Sequence, residues 1–214
     1  MKKMILALDI CDFQKAENFV KETSPYIDIY KVGPVLFLHA GREVIKMIKD
    51  FGKEVFLDLK FHDIPATVKR SVESAKELGV FSLTVHSVGG AEMLKAASSV
   101  ENRPKIWAVT VLTSQIAMPE EVVKRAKLAK ICGIDGIISS PLEISLIKKS
   151  CGKKFNVVTP GIRLTKINDD QKRVATPEIA IKEGADFIVI GRPILEAKNP
   201  IEVAKNIYER ILIQ

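Results

Sequence analysis

Short apolar runs recur along the chain at Met4–Leu8, Ile27–Val32, Glu54–Leu57, Phe81–Val85, Lys105–Val111, Gly136–Ile138, Asn156–Val158 and Phe187–Ile190. Each has the length of a buried strand rather than of a helix. A stretch with helical spacing follows each run. After the third, Val68, Val72, Ala75 and Leu78 fall at i, i+4, i+7 and i+10, which is one face of a helix. Val44, Ile45 and Ile48 follow the second run, and Val122, Val123, Ala126, Leu128 and Ala129 the fifth. Gly52, Gly79, Gly133 and Gly184 close such stretches just ahead of the next run, where a helix C-terminus wants glycine. The repeated unit of helix, glycine and apolar strand predicts chained βα units rather than separate domains. No Ser/Gly/Pro-rich or low-complexity stretch divides the chain, so residues 1–214 read as one domain. Eight βα units in this length predict an α/β fold, a (β/α)8 TIM barrel at the small end of its range. An open doubly wound sheet is the alternative. A dinucleotide-binding sheet of that kind would want Gly-x-Gly-x-x-Gly after the first strand, and none is there.

Composition fits that architecture. Aromatic residues make up 6% of the chain against 47% hydrophobic residues in all, so Ile, Val, Leu and Ala must build the core, as in a parallel sheet buried on both faces. The net charge of +7 comes from lysines interleaved with acids along the chain, which reads as solvated helix faces. No basic stripe with interleaved aromatics appears, so nucleic acid is not the expected partner, while a small anionic ligand stays open. Cys11, Cys132 and Cys151 are odd in number and far apart, giving neither a disulfide framework nor a metal motif. They read as buried or half-buried thiols in a reducing cytoplasm. The N-terminal apolar run ends at Asp9, too short for a signal peptide, and no run approaches a membrane span.

The polar residues at the ends of the runs are unusual. Asp9 ends the first, Lys31 the second, Asp58 and Lys60 the third and His86 the fourth. Thr113 and Ser114 follow the fifth, Pro160 and Gly161 the seventh, and Gly191 and Arg192 the eighth. In a barrel all these ends meet at one rim, where active sites sit.

The densest part is Asp58-Leu59-Lys60-Phe61-His62-Asp63. Asp58 and Lys60 share one face at a strand end. Charges at the mouth of an apolar strand are costly to desolvate. They make either a structural salt-bridge network or a site. A lysine between carboxylates stays protonated and so cannot form a Schiff base. It can serve as a general acid, or as a fixed positive charge facing a developing carbanion. Lys31 at the neighbouring strand end would extend the array to Lys31, Asp58, Lys60 and Asp63. Asp9 reads either as part of this site or as the N-cap of a helix beginning near Asp12. His62 and His86 read as supporting or capping residues and His39 as a surface residue. The dispersed histidines make a His-based metal site weak, and a carboxylate-bound Mg²⁺ stays open by composition.

Gly191-Arg192-Pro193 forms a second candidate. A glycine there allows close backbone approach, the following helix N-terminus favours an anion, and the Arg192 fork suits phosphate. Barrels commonly bind phosphate after the seventh and eighth strands. The segment Thr159–Thr176, with Pro160, Gly161, Arg163, Gln171, Lys172 and Arg173, reads either as a long surface loop or as a lid over that phosphate.

These residues together resemble the orotidine 5′-monophosphate decarboxylase family over essentially the whole chain. The Asp-x-Lys-x-x-Asp motif stands at Asp58-Leu59-Lys60-Phe61-His62-Asp63, followed by Ile64-Pro65. Around it lie Leu8-Asp9, Lys31-Val32-Gly33, Leu112-Thr113-Ser114, Thr159–Arg163, Asp170–Arg173 and Gly191-Arg192-Pro193. The resemblance implies cofactor-free and metal-free decarboxylation of orotidine 5′-monophosphate to uridine 5′-monophosphate, the last step of de novo pyrimidine synthesis. It implies a cytoplasmic homodimer with shared sites. Lys60 would protonate C6, with Asp58 beside the substrate carboxylate. Lys31 and Asp9 would contact the ribose, Asp63 and Thr67 would reach the partner's site, and Ile64 would bind substrate. Thr113 and Ser114 would contact the pyrimidine, Arg163, Gln171, Gly191 and Arg192 would hold the phosphate, and Pro160 would also bind substrate. Sister barrels, 3-keto-L-gulonate 6-phosphate decarboxylase and hexulose-phosphate synthase, share the central motif but use Mg²⁺ and carry an acidic residue where Lys31 stands. A non-catalytic phosphate-binding barrel would account for Gly191 and Arg192 but leave the charge cluster without a role.

Overall fold

In the computed structural model, which describes residues 3–112, 114–115, 117–164 and 174–213, the eight apolar runs form eight parallel strands. They are β1 (Met4–Ala7), β2 (Ile29–Val32), β3 (Glu54–Phe61), β4 (Ser82–His86), β5 (Lys105–Val109), β6 (Gly136–Ile138), β7 (Asn156–Thr159) and β8 (Phe187–Ile190). Each pairs with its neighbours in sequence order, and β8 closes on β1 through Met4↔Ile188, Ile5↔Val189 and Leu6↔Ile190. The result is a (β/α)8 barrel, not an open sheet.

The helices between strands are α1 (Phe13–Thr23), α2 (Pro34–Asp50), α3 (Pro65–Glu77), α4 (Gly90–Ser98), α5 (Pro119–Ile131), α6 (Ile144–Cys151) and α7 (Pro177–Lys182). The short α8 (Arg192–Leu195) and then α9 (Pro200–Leu212) follow β8. Pro34, Pro65, Pro119, Pro177 and Pro200 each open a helix, where a missing N–H costs nothing and a fixed φ helps. Gly52, Gly79, Gly133 and Gly184 end theirs at φ of 69°, 67°, 80° and 104°, as the pattern predicts.

Two apolar layers hold the barrel together. The larger lies between strands and helices and includes Leu6, Tyr30, Leu57, Leu83, Ile106, Val157 and Ile190. The smaller fills the barrel interior with Ile5, Ala7, Ile29, Phe56, Trp107, Val158 and Val189. Trp107 packs edge-on against Phe56, with ring centroids 4.7 Å apart, and lies tilted against Phe187 at 5.4 Å. Alternation along each strand produces both layers, odd positions facing one way and even positions the other. Opposite the rim, Asp135 Oδ2 accepts from Ile106 N–H (2.7 Å) and pairs with Arg103 (2.5 Å). Asp186 Oδ2 accepts from Val157 N–H (2.7 Å) and pairs with Lys148 (2.6 Å). These carboxylates pin the starts of the strands.

Cys132 and Cys151 are buried, as expected for small apolar thiols. Cys11 departs from that expectation and is exposed, because it lies in the connection between β1 and α1, outside the core. Among the described residues no helix is long and apolar enough to cross a membrane.

Candidate active site

The inward face that fills the barrel changes chemistry at its C-terminal end. Two positions beyond Ala7, Ile29 and Phe56 on that face come Asp9, Lys31 and Asp58. An apolar plug is thereby topped by a layer of charge. These residues and Lys60 line one cavity of about 220 Å³. Its floor and walls are Ala7, Phe56, Val109, Val111, Leu112, Ile138 and Val189, and its far end is Pro160, Gly161, Arg163, Gly191 and Arg192.

The charges form a connected array. Lys31 Nζ donates to Asp9 Oδ1 at 2.9 Å and lies 3.5 Å from Asp58 Oδ2. Lys60 Nζ donates to the same Asp58 Oδ2 at 2.9 Å. Both lysines thus converge on one oxygen. Burial opposes the charge on Lys31, but Asp58 and Asp9 outweigh it and hold the ammonium pKa above its ordinary value. Burial likewise opposes ionisation of Asp58. Lys31 and Lys60, with hydrogen bonds from Lys60 and Thr84, outweigh it and hold the carboxyl below its ordinary range. Lys60 is the more accessible of the two ammoniums, with 35% of its side chain exposed against 11% for Lys31. Gly33 leaves room for the Lys31–Asp9 pair, since a Cβ there would stand 3.3 Å from Lys31 Nζ and 3.4 Å from Asp9 Oδ1.

Asp9 is not a helix cap. Asp12 caps α1 by accepting from Lys15 N–H at 2.8 Å, which leaves Asp9 for Lys31. The third strand is also longer than its apolar run, reaching Phe61 instead of Leu57. It carries a bulge there: the pairing with β4 jumps from Leu57↔Leu83 to Phe61↔Val85, and Lys60 takes φ of 51°. A left-handed lysine is uncommon and costs strain that the surroundings must hold. Thr84 supplies that hold. Lys60 N–H donates to Thr84 Oγ1 at 2.9 Å, and the Thr84 hydroxyl donates to Asp58 Oδ1 at 2.9 Å.

Asp63 stands apart from the array within this chain. Its carboxylate accepts from Ile64 N–H at 2.7 Å and makes no ion pair among the described residues. Asp63 and Ile64 are exposed and Thr67 half-buried, all outside the cavity wall. At the phosphate end, Arg163 is buried and its Nη1 donates to Ile162 O at 2.9 Å, while Arg192 is half-buried at the start of α8. Ser114 is exposed and off the cavity wall, where Val111 and Leu112 stand instead. Thr113 and Gln171 lie outside the described residues, as does the span 165–173. His62 and His86 face each other at 5.8 Å between ring centroids, at the rim but off the cavity wall. Burial, then His62, Arg125 and Lys60, pushes the His86 pKa down. His39 is exposed. Among the described residues no three His, Cys, Asp or Glu side chains gather as metal ligands.

Thr84 and the apolar wall of Phe56, Val109, Ile138 and Val189 are not among the residues that the sequence pattern singles out. The wall was recoverable, since Phe56 stands two residues before Asp58 on the inward face, Val109 and Ile138 end their strands and Val189 is one residue short of the end of β8.

A family model described as Orotidine 5'-phosphate decarboxylase / HUMPS family matches residues 2–207. A protein of Geobacter sp. (strain M21), named orotidine 5'-phosphate decarboxylase, is 43% identical over 232 residues, covering 99% of this chain and 97% of that one. One of the same name from Legionella pneumophila subsp. pneumophila is 45% identical over 218 residues, covering 94% and 95%. The crystal structure of orotidine 5'-phosphate decarboxylase from Lactobacillus acidophilus matches with a TM-score of 0.85 at 35% identity, covering 99% of each chain.

Proposed function

The chain belongs to the orotidine 5′-phosphate decarboxylase / HUMPS family, and we propose that it converts orotidine 5′-monophosphate to uridine 5′-monophosphate and carbon dioxide without a metal or organic cofactor. The observation that carries this reading is the array in which Lys31 and Lys60 share Asp58 Oδ2 above an apolar floor. The bond from C6 to the carboxylate breaks, carbon dioxide leaves and the electron pair stays on C6. The Lys60 ammonium faces that charge and passes its proton to C6, then regains one from water. Its charge is preorganised by Asp58, so little reorganisation is needed as the carbanion forms.

The pyrimidine rests on the apolar wall, Asp9 and Lys31 meet the ribose, and Arg163, Gly191 and Arg192 hold the phosphate at the far end. The phosphate does not react, so its binding energy goes to positioning. We further propose a homodimer in which Asp63, Ile64 and Thr67 complete the partner's site. In its support, Asp63 makes no ion pair among the described residues and the adjoining apolar Ile64 is 65% exposed.

Lys31 argues against the magnesium chemistry of the sister barrels. Its ammonium takes up carboxylate oxygens of Asp9 and Asp58 that a divalent cation would need. The test is the loss of orotidine 5′-monophosphate absorbance after exhaustive EDTA treatment. Full activity is expected. Activity lost to EDTA and restored by Mg²⁺ would overturn the metal-free reading.

A further inference from the structure

Thr84 lies opposite the bulge of β3 and is fully buried. Between the pairs Leu57↔Leu83 and Phe61↔Val85, β3 has three residues, Asp58, Leu59 and Lys60, where β4 has Thr84 alone. A regular ladder cannot serve all three, and a buried N–H left without an acceptor is costly. The Thr84 hydroxyl resolves this locally. It accepts from Lys60 N–H at 2.9 Å, so its own proton is directed to Asp58 Oδ1, also at 2.9 Å. Oδ1 being taken, Oδ2 is the oxygen left for Lys60 Nζ and Lys31 Nζ.

We propose that Thr84 is a positioning residue for the decarboxylation, its hydroxyl locking the left-handed backbone of Lys60 and the carboxylate plane of Asp58 into one geometry. The proposal rests on the decarboxylase reading above. A threonine two residues before His86 in an apolar strand would ordinarily be a β-former packed against its neighbours. Here the hydroxyl both accepts from and donates to residues of the bulge, Lys60 and Asp58. Without the hydroxyl, Asp58 could turn about its side-chain bonds and Lys60 could relax from φ of 51°. The ammonium would then no longer be aimed by its partner.

The experiment compares Thr84→Val, which keeps the shape and removes the hydroxyl, with Thr84→Ser, which keeps the hydroxyl. Turnover of orotidine 5′-monophosphate, its pH profile and binding of uridine 5′-monophosphate are measured for each. Thr84→Val is expected to lose about ten- to a hundredfold in kcat, the scale of a hydrogen bond to a charged group. Its affinity for the product is expected to stay within about threefold, since the phosphate end is untouched, and Thr84→Ser is expected to recover most of kcat. The acid limb of kcat/KM is expected to move to higher pH in Thr84→Val, because a hydrogen bond that favours the Asp58 carboxylate is gone. Should Thr84→Val not fold, Thr84→Ala against Thr84→Ser carries the same comparison. Wild-type kcat in Thr84→Val, an equal loss in Thr84→Ser, or a matching loss of product affinity would overturn the proposal. No turnover by the wild-type enzyme would instead overturn the decarboxylase reading.

Discussion

Lys60 Nζ lies 2.9 Å from Asp58 Oδ2, and the two residues belong to one strand bulge, in which Lys60 takes φ of 51°. The pair is more than an ordinary salt bridge. Lys31 reaches the same oxygen from the neighbouring strand, so one buried carboxylate faces two ammoniums. Such a group is expensive to desolvate and expensive to break. It is retained at the mouth of an apolar barrel, where a reaction that develops negative charge would find a positive field already in place.

Titration of this cluster gives a signed prediction for stability. The Asp58 carboxyl is held below its ordinary range, so its contribution is present above the unfolded-state pKa of about 3.9 and is lost as the pH falls through the lower folded value. Lys31 works in the opposite sense. Its raised pKa gives a contribution present below about 10.4 and lost as the pH rises through the folded value. Urea midpoints measured from neutral to acid pH should fall more gently for Asp58→Asn than for the wild type. Parallel curves would show that Asp58 does not carry the acid dependence.

The far end of the cavity should control binding more than chemistry. Arg192→Ala removes a cation from the wall beside Gly191. The Michaelis constant for orotidine 5′-monophosphate is expected to rise about ten- to a hundredfold, with a smaller change in kcat, as for loss of a charged hydrogen bond. An unchanged constant would remove Arg192 from the phosphate site.

Shared sites predict complementation. Mixing Lys60→Ala with Asp63→Ala subunits should restore about a quarter of wild-type activity, since half of randomly formed dimers are hybrids and each holds one intact site. Hybrids that form and stay inactive would confine each site to one chain.

The fold was legible because each local signal agreed with the others. Periodicity placed the helices, Gly52, Gly79, Gly133 and Gly184 marked their ends, and the apolar runs marked the strands. Asp58, Lys60, Lys31 and Gly191 were legible because polar residues at strand ends break the apolar pattern. Asp9 was ambiguous, since one residue's role depended on whether Asp9 or Asp12 began the helix. The bulge was invisible, because it arises from how β3 matches β4 and not from either segment alone. Thr84 was invisible for the same reason: within its own strand it looks like any β-branched residue. Asp63 could not be placed by local spacing either, since within the chain it accepts from Ile64 N–H and forms no ion pair with Lys60.

The most direct test of the account is the turnover of orotidine 5′-monophosphate by Lys60→Ala, measured beside its binding of uridine 5′-monophosphate. General acid catalysis and fixed-charge stabilisation together predict a loss of at least about 10⁴-fold in kcat, with product binding retained. A variant that keeps kcat within about tenfold of the wild type would contradict the assignment of the proton and the charge to Lys60.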